Sequence, residues 1–328
     1  MRTLVTGASG FVGAAVLRRL AAEPRPHVVR ALVRGGRPRP AGADEVVEGD
    51  LADPGCFAAA VDGVNRVIHA GARVATTGAW AEFEAVNVVA TRELIAASVR
   101  AGAEHFVHVS SLSVYDVPRD GAVIGEDSPL ESGAGERGFY ARSKLEADLA
   151  AQAAIASGAP VTIVRPGLIF GPGRNPPLAR RSVGVGPLRL LFAGRDYLMP
   201  MAFVDNVADA LVVASRTPAA VGRIYTLVDE HVRQADYAAM FRRASGGSWT
   251  PVFIPPALIR TAVRLVETSA RLVGRKSPVT SHQVDRTLLS ARFDSSRVRA
   301  ELGWSPTLSV SDALQRTFAD NRGAGRLG

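Results

Sequence analysis

Near the start of the chain, Thr6-Gly7-Ala8-Ser9-Gly10-Phe11-Val12-Gly13 joins a short apolar run at 2–6 to a segment of helical periodicity. No other stretch restricts the fold as much. Glycine reaches dihedrals closed to other residues and lets another group approach the backbone, while a helix start offers unpaired N–H groups and the positive end of the helix dipole. Gly7, Gly10 and Gly13 therefore read as a cradle for a dinucleotide pyrophosphate. The plainer alternative is a strand-to-helix turn that binds nothing. Position argues for the cradle, because these glycines follow a strand, open a helix and head a βαβ series.

That series runs through the first half of the chain. Apolar runs predict strands at 2–6, 28–33, 45–48, 66–70, 105–110 and 161–165, with helical periods between most of them at 11–22, 54–61, 80–101 and 138–157. Such alternation implies an α/β fold, a parallel sheet covered by helices on both faces, with ligands bound at the carboxyl ends of the strands. After Gly171-Pro172-Gly173 the regularity breaks down, although a helix at 203–214 and a strand at 223–228 have the look of a return to the sheet. The expected division is a dinucleotide-binding domain over 1–173 with 203–228, and a smaller substrate-binding domain from 174–202 and 229–328. In the latter, Leu188, Leu190, Leu191, Phe192, Tyr197 and Met199 are candidates to line an apolar pocket, an ordinary core being the alternative.

The second strand bears on which dinucleotide is bound. NAD sites place an acid about 20 residues beyond the glycines to accept from the adenosine ribose. Here Val28-Val29-Arg30-Ala31-Leu32-Val33-Arg34-Gly35 ends in arginine. A guanidinium cannot accept from a ribose diol but suits a 2′-phosphate, so NADP is preferred over NAD, with Arg37 and Arg39 as helpers. Gly49-Asp50-Leu51 follows the third strand where an adenine would lie; Asp50 either accepts from its amine or caps a turn.

Tyr140 and Lys144 then stand four apart on a predicted helix, in a chain whose only other lysine is Lys276. Residues i and i+4 share a helix face, so an ammonium can sit beside a phenol. Bringing a tyrosine from its ordinary pKa near 10 within reach of neutrality takes roughly 3 to 4 kcal/mol of phenolate stabilisation. A neighbouring cation acts in that direction. Val109-Ser110-Ser111-Leu112-Ser113-Val114-Tyr115 adds hydroxyls at the carboxyl edge of the sheet. Together they form a donor beside an acid/base, able to polarise a carbonyl for hydride delivery.

With these residues in order, the chain resembles the extended short-chain dehydrogenases/reductases, the NAD(P)-dependent epimerase/dehydratase family. Further stretches carry the likeness: His69-Ala70-Gly71, Asn87-Val88-Val89-Ala90-Thr91, Arg165-Pro166-Gly167-Leu168-Ile169-Phe170-Gly171-Pro172 and Phe203-Val204-Asp205-Asn206-Val207-Ala208. The resemblance implies a Rossmann-type doubly wound sheet with a C-terminal α/β lid. It implies that Tyr140 is the acid/base, Lys144 its tuner and ribose ligand, Ser111 the donor to the substrate oxygen with Ser110 as rival, and Asn87 a further catalytic residue. Ser9, Phe11, Val12, Leu51, Ala70, Gly71, Pro166 and Gly167 are carried over as cofactor contacts. His69 falls where relatives keep a structural histidine. The second strand is similar to that of 3β-hydroxysteroid-dehydrogenase-like and dihydroflavonol-reductase-like members, whereas sugar-nucleotide epimerases and dehydratases commonly have aspartate there.

Composition narrows the remaining classes. The single Cys56 excludes internal disulfides and cysteine-cluster metal sites and favours a reducing cytoplasm; no metal is expected. No run reaches the length of a membrane span, and the first residues lack the pattern of a signal peptide. The net charge of +8 comes from scattered arginines without interleaved aromatics, which argues against nucleic acid. A helix at 258–276 puts Arg260, Arg264, Arg271 and Arg275 on one stripe and Ile259, Val263, Val266, Ala270 and Val273 opposite, either as a solvated basic face or as one for an anionic membrane or acidic partner. The expectation is an NADP-dependent, homodimeric oxidoreductase acting on the carbonyl or secondary alcohol of a moderately apolar small molecule. A sugar-nucleotide epimerase or dehydratase retaining NAD, and a non-catalytic dinucleotide-sensing protein, are the alternatives.

Overall fold

A computed structural model describes residues 1–24, 26–75, 77–174, 182–272, 274, 277 and 281–323. Its centre is a seven-stranded parallel sheet. The strands are β1 (Arg2–Thr6), β2 (Val28–Val33), β3 (Glu45–Glu48), β4 (Arg66–His69), β5 (His105–Val109), β7 (Val161–Pro166) and β12 (Ile224–Leu227), ordered 12-7-5-4-1-2-3. The short β6 (Ala122–Ile124) lies outside it. Strand order reverses between β1 and β4, and a crevice opens at that point beyond the carboxyl ends.

Period-two alternation assigns each strand residue to a layer. In β1 Leu4 packs on one face and Val5 on the other; in β5 Phe106 and Val107 divide in the same way. Helices Phe57–Val61, Ala90–Arg100 and Phe139–Ala156 cover the Leu4 face, and helices Phe11–Ala21 and Val204–Arg216 the Val5 face. The last two also join through Arg18 to Asp205 at 3.0 Å and Arg19 to Asp209 at 2.7 Å. Strands fully covered on both sides read as unbroken apolar runs, so their sequence positions match the sheet to within one residue at each end.

One expected element is different in kind. The helix expected at 80–101 divides into Trp80–Phe83, a π turn over Glu84–Val89 and Ala90–Arg100. The wider turn carries Asn87, whose side chain bonds sideways to the Arg73 backbone.

Beyond β7 the chain builds small sheets: β8 (Leu168–Phe170) with β11 (Leu198–Phe203) and β13 (Glu230–Arg233); β9 (Ser182–Val185) with β10 (Leu188–Phe192) and β14 (Thr250–Ile254); and β15 (Ala291–Phe293) parallel to β6. Helices Gln234–Ser245, Pro256–Leu272, Ser281–Leu288, Ser296–Leu302 and Val310–Gly323 complete the described chain. The helix expected at 258–276 runs from Pro256 to Leu272; Val273, Arg275 and Lys276 lie outside the described residues.

Candidate active site

The loops after β4, β5 and β7, the start of helix Phe11–Ala21 and the helix carrying Tyr140 enclose a cleft of about 420 Å3. Its far wall is built by Tyr197, Leu198, Pro200, Leu289, Ala291 and Phe293. Ser111, Tyr140 and Lys144, more than thirty residues apart in part, meet on its surface.

Lys144 is 4% exposed, and its Nζ donates to the carbonyl oxygen of Val109 at 2.6 Å. Burial pulls its pKa down to about 8, against the attraction of Asp148 one turn further along the helix. Tyr140 is half-buried at the cleft wall. Ser111 Oγ accepts from Ser113 N at 3.1 Å, which leaves the hydroxyl proton to be donated into the cleft. Ser110 borders the same space, but its hydroxyl donates to Asp148 at 2.5 Å. Asp148 also accepts from Arg165 Nε at 2.9 Å and from a terminal guanidinium nitrogen at 2.6 Å, with both side chains buried. That commitment distinguishes the two serines: Ser110 belongs to a buried ion-pair network and Ser111 faces the cleft.

Asn87 does not line the cleft. Its Nδ2 donates to Arg73 O at 3.1 Å and Ser143 Oγ at 2.8 Å, and its Oδ1 accepts from Arg73 N at 2.7 Å. Ser143 in turn donates to Tyr140 O at 3.0 Å. Asn87 therefore ties the loop after β4 to the Tyr140 helix, and the expectation of a directly acting group gives way to a positioning one, because it is buried away from the cleft with its amide nitrogen and oxygen both bonded to protein.

His69 is likewise committed. Thr91 Oγ1 donates to Asn87 O at 2.7 Å, so it can only accept from His69 Nε2 at 3.1 Å; His69 Nδ1 then accepts from Thr6 Oγ1 at 2.6 Å. The ring is neutral, burial and the Lys144 charge holding its pKa down to about 3. This is the structural part expected of it.

The glycine turn fits a dinucleotide on steric grounds. Gly7 has φ +65°, and a Cβ there would meet Gly71 Cα at 2.6 Å; a Cβ on Gly13 would strike the Gly7 carbonyl oxygen. Gly10 N donates to Gly7 O at 2.8 Å, and no side chain caps the helix that begins at Phe11, so its first N–H groups point toward the crevice. Gly71 packs against Leu51 with no room for a side chain. Val12, Ala70, Pro166 and Gly167 line the cleft beside them, and Ser9 is exposed at the turn. Arg34 and Arg37 are exposed just past the end of β2, whereas Arg39 turns back to donate to Ala43 O at 2.8 Å. Asp50 is exposed while also accepting from Ala52 N at 2.9 Å, a turn cap that leaves further lone pairs.

Other parts of the wall escaped the sequence. Glu131, its carboxylate fully enclosed, Arg137 and Arg174 reach the cleft; Arg137 donates to Ser113 O at 3.1 Å and lies 3.4 Å from Glu131. Asp148, buried behind the wall, had a usable signal, continuing the Tyr140–Lys144 stripe at the next i+4 position. Leu289, Ala291 and Phe293 had none, since β15 reaches the site by pairing with a strand some 170 residues earlier. Of the residues expected to line an apolar pocket, only Tyr197 does so: Leu191 and Met199 are in the core, and Leu188 and Phe192 are exposed. A run of leucines in a two-faced strand feeds the core and the outer surface alternately.

Among the described residues no group of side chains has the makings of a metal site, and no helix is long and apolar enough to cross a membrane. The model of the NAD dependent epimerase/dehydratase family matches residues 3–227. Sterol demethylase protein B of Methylococcus capsulatus is 33% identical, over 98% of this chain and 97% of its own. A 3 beta-hydroxysteroid dehydrogenase/Delta 5-->4-isomerase of Mycobacterium tuberculosis is 28% identical over 95% and 88%. The crystal structure of gox2253, 28% identical, superposes with a TM-score of 0.87 over 99% of both chains. The match spans the glycine turn, the Tyr140 helix and the returning strand β12, and so takes in the whole parallel sheet; on that ground the chain belongs to the NAD-dependent epimerase/dehydratase family, as an enzyme of the short-chain dehydrogenase/reductase type.

Proposed function

We propose that this chain is an NADP-dependent reductase or dehydrogenase acting on a ketone, aldehyde or secondary alcohol of a moderately apolar small molecule. The observation that carries the reading is the meeting of Tyr140, Lys144 and the cleft-facing Ser111 hydroxyl in a pocket whose wall is mainly apolar, with Val12, Leu112, Ile169 and Phe293, beside the charged Glu131, Arg137 and Arg174. When bound, the dinucleotide supplies or accepts a hydride at its nicotinamide. In reduction Tyr140 passes its phenolic proton to the substrate oxygen while Ser111 donates a hydrogen bond to the same atom. Lys144, already buried and charged beside the cleft, stabilises the phenolate left behind and holds the nicotinamide ribose. Gly7, Gly10 and Gly13 receive the pyrophosphate, Asp50 the adenine and Arg34 the 2′-phosphate.

The relatives named for sterols and hydroxysteroids support an apolar substrate body. Exposed Val99, Phe139 and Leu149 on the helices around the Tyr140 face support pairing of two copies there, and the lone Cys56 suits a reducing cytoplasm. The test is turnover of purified protein with NADPH or NADH and a panel of 3-oxosteroid and long-chain oxo compounds. Net NADPH oxidation, lost in Tyr140→Phe with dinucleotide binding retained, is the expected result. Tightly retained NAD with turnover of a sugar nucleotide and no added cofactor would instead assign the epimerase reading, and unchanged activity in Tyr140→Phe would remove the mechanism.

A further inference from the structure

The outer face of the sheet formed by β9, β10 and β14 is apolar in register. Leu191 of β10 points into the core, so Leu188, Leu190 and Phe192 share the opposite face. Pairing aligns Leu190 with Val183 and Val252, Leu188 with Val185, and Phe192 with Ile254. Val183 and Val185 remain 50% and 52% exposed, and Leu188 and Phe192 also stand open.

β14 leads through Pro255 directly into helix Pro256–Leu272, none of whose residues is buried. Ile259, Val263 and Ala270 are half-buried on its packed side. Leu258, Leu265 and Leu272, seven residues apart and therefore on one stripe, are 61%, 64% and 83% exposed. Soluble surfaces seldom leave a sheet face and an adjoining leucine stripe uncovered together.

Charge selects what covers them. Within 242–272 the chain carries Arg242, Arg243, Arg260, Arg264 and Arg271 against Glu267 alone. That segment holds half of the net charge of +8. Arg260 pairs with Asp285, while Arg264 and Arg271 stand exposed on helix Pro256–Leu272, and Arg189 and Arg195 stack on Phe241 and Phe253 on the inner side of the sheet. A second copy laid face to face would bring like charge to like charge. An anionic lipid surface answers both features, taking the apolar residues into its boundary and the arginines at its headgroups.

We propose that the outer face of β9, β10 and β14, with the leucine stripe of helix Pro256–Leu272, docks on an anionic lipid bilayer. This placement is independent of the substrate assigned to the cleft.

Flotation of the full chain with vesicles of phosphatidylcholine, with and without about 30 mol % phosphatidylglycerol, tests it. Recovery on the anionic vesicles is expected to exceed that on neutral ones at least about tenfold and to fall with added salt. The double variant Val185→Glu, Leu265→Glu should lose about tenfold in binding, and Leu272→Gln, at the most exposed position, should lose part of it. Arg264→Gln with Arg271→Gln should remove much of the preference for anionic lipid. Equal recovery on both vesicles and in buffer would overturn the proposal. So would a dimer in light scattering that the double variant dissolves while the parent ignores vesicles, which would give the face to a second copy.

Discussion

Lys144 is fastened to the strand that ends beside Ser111: its Nζ donates to Val109 O at 2.6 Å, and the helix that carries it presents Tyr140 one turn earlier. The site thus keeps a cation in a place that burial disfavours, and the first prediction follows from that cost.

Lys144→Met should abolish turnover while leaving the fold at least as stable at neutral pH. Burial lowers the lysine pKa from 10.5 to about 8, so the folded state disfavours the charge by about 3 kcal/mol. The penalty is full below pH 8, where both states are protonated, and is relieved between pH 8 and 10.5, where only the unfolded chain holds the proton. Leaving Val109 O unpaired takes back about 1 kcal/mol. Urea unfolding at pH 7 should show a gain of about 1 to 2 kcal/mol that vanishes by pH 10; a loss at pH 7 would contradict it.

Asp148→Ala should cost about 3 to 5 kcal/mol, because it leaves Arg165 charged, buried and unpaired. The double variant Asp148→Leu, Arg165→Met should recover most of that, since it removes both charges from a dry site. Asp148 also holds Ser110, next to Ser111, and Arg165 precedes Pro166 and Gly167 of the cleft. The double variant is therefore expected to keep its stability better than its kcat, a split that denaturation and steady-state kinetics together would show.

The division between what could and could not be read in the sequence follows contact range. Strands β1, β2, β4, β5 and β7 are covered on both sides and stand between turn residues, so their apolar runs identify them locally. Tyr140, Lys144 and the glycines carry their chemistry at fixed short spacings. The π turn at Asn87 leaves no such mark, because its cause is a hydrogen bond to Arg73 fourteen residues earlier. The far wall of the cleft is a further step removed: Phe293 is brought in by β15 lying along β6, and Leu188 and Phe192 are turned outward by a pairing register that leucine content cannot disclose.

The cofactor assignment is tested at two positions. Gly13→Ala would place a methyl against the Gly7 carbonyl and should weaken dinucleotide binding by about 100-fold or more, with some loss of stability. Arg34→Asp trades a donor for a 2′-phosphate against an acceptor for a ribose diol, and should shift the ratio of kcat/KM for NADPH over NADH at least about tenfold toward NADH, equivalent to about 1.4 kcal/mol. An unchanged ratio would place the 2′-phosphate contact elsewhere.

Acid should unfold this protein through its buried histidines, ahead of its exposed carboxylates. Burial holds His69 at about 3 and His105 and His231 at about 4, and lowers His108, which stacks on His69 at 5.6 Å, in the same direction. A folded pKa below the unfolded value near 6.5 means that, between the two, the unfolded chain binds the proton and the native chain does not. Stability is then complete above about pH 6.5 and falls as pH drops toward 4. Four such groups, offset by Asp229, whose carboxyl burial raises to about 6 so that the native state takes up a proton as pH falls, give a net slope of about 4 kcal/mol per pH unit once the unfolded histidines are mostly protonated, enough to consume an ordinary domain stability within two to three units. Tm measured from pH 7.5 to 4.5 should fall steeply below pH 6. His231→Gln, at the least enclosed of the four, should flatten that decline by about one proton, and a variant with an unaltered slope would show that the acid sensitivity lies in other groups.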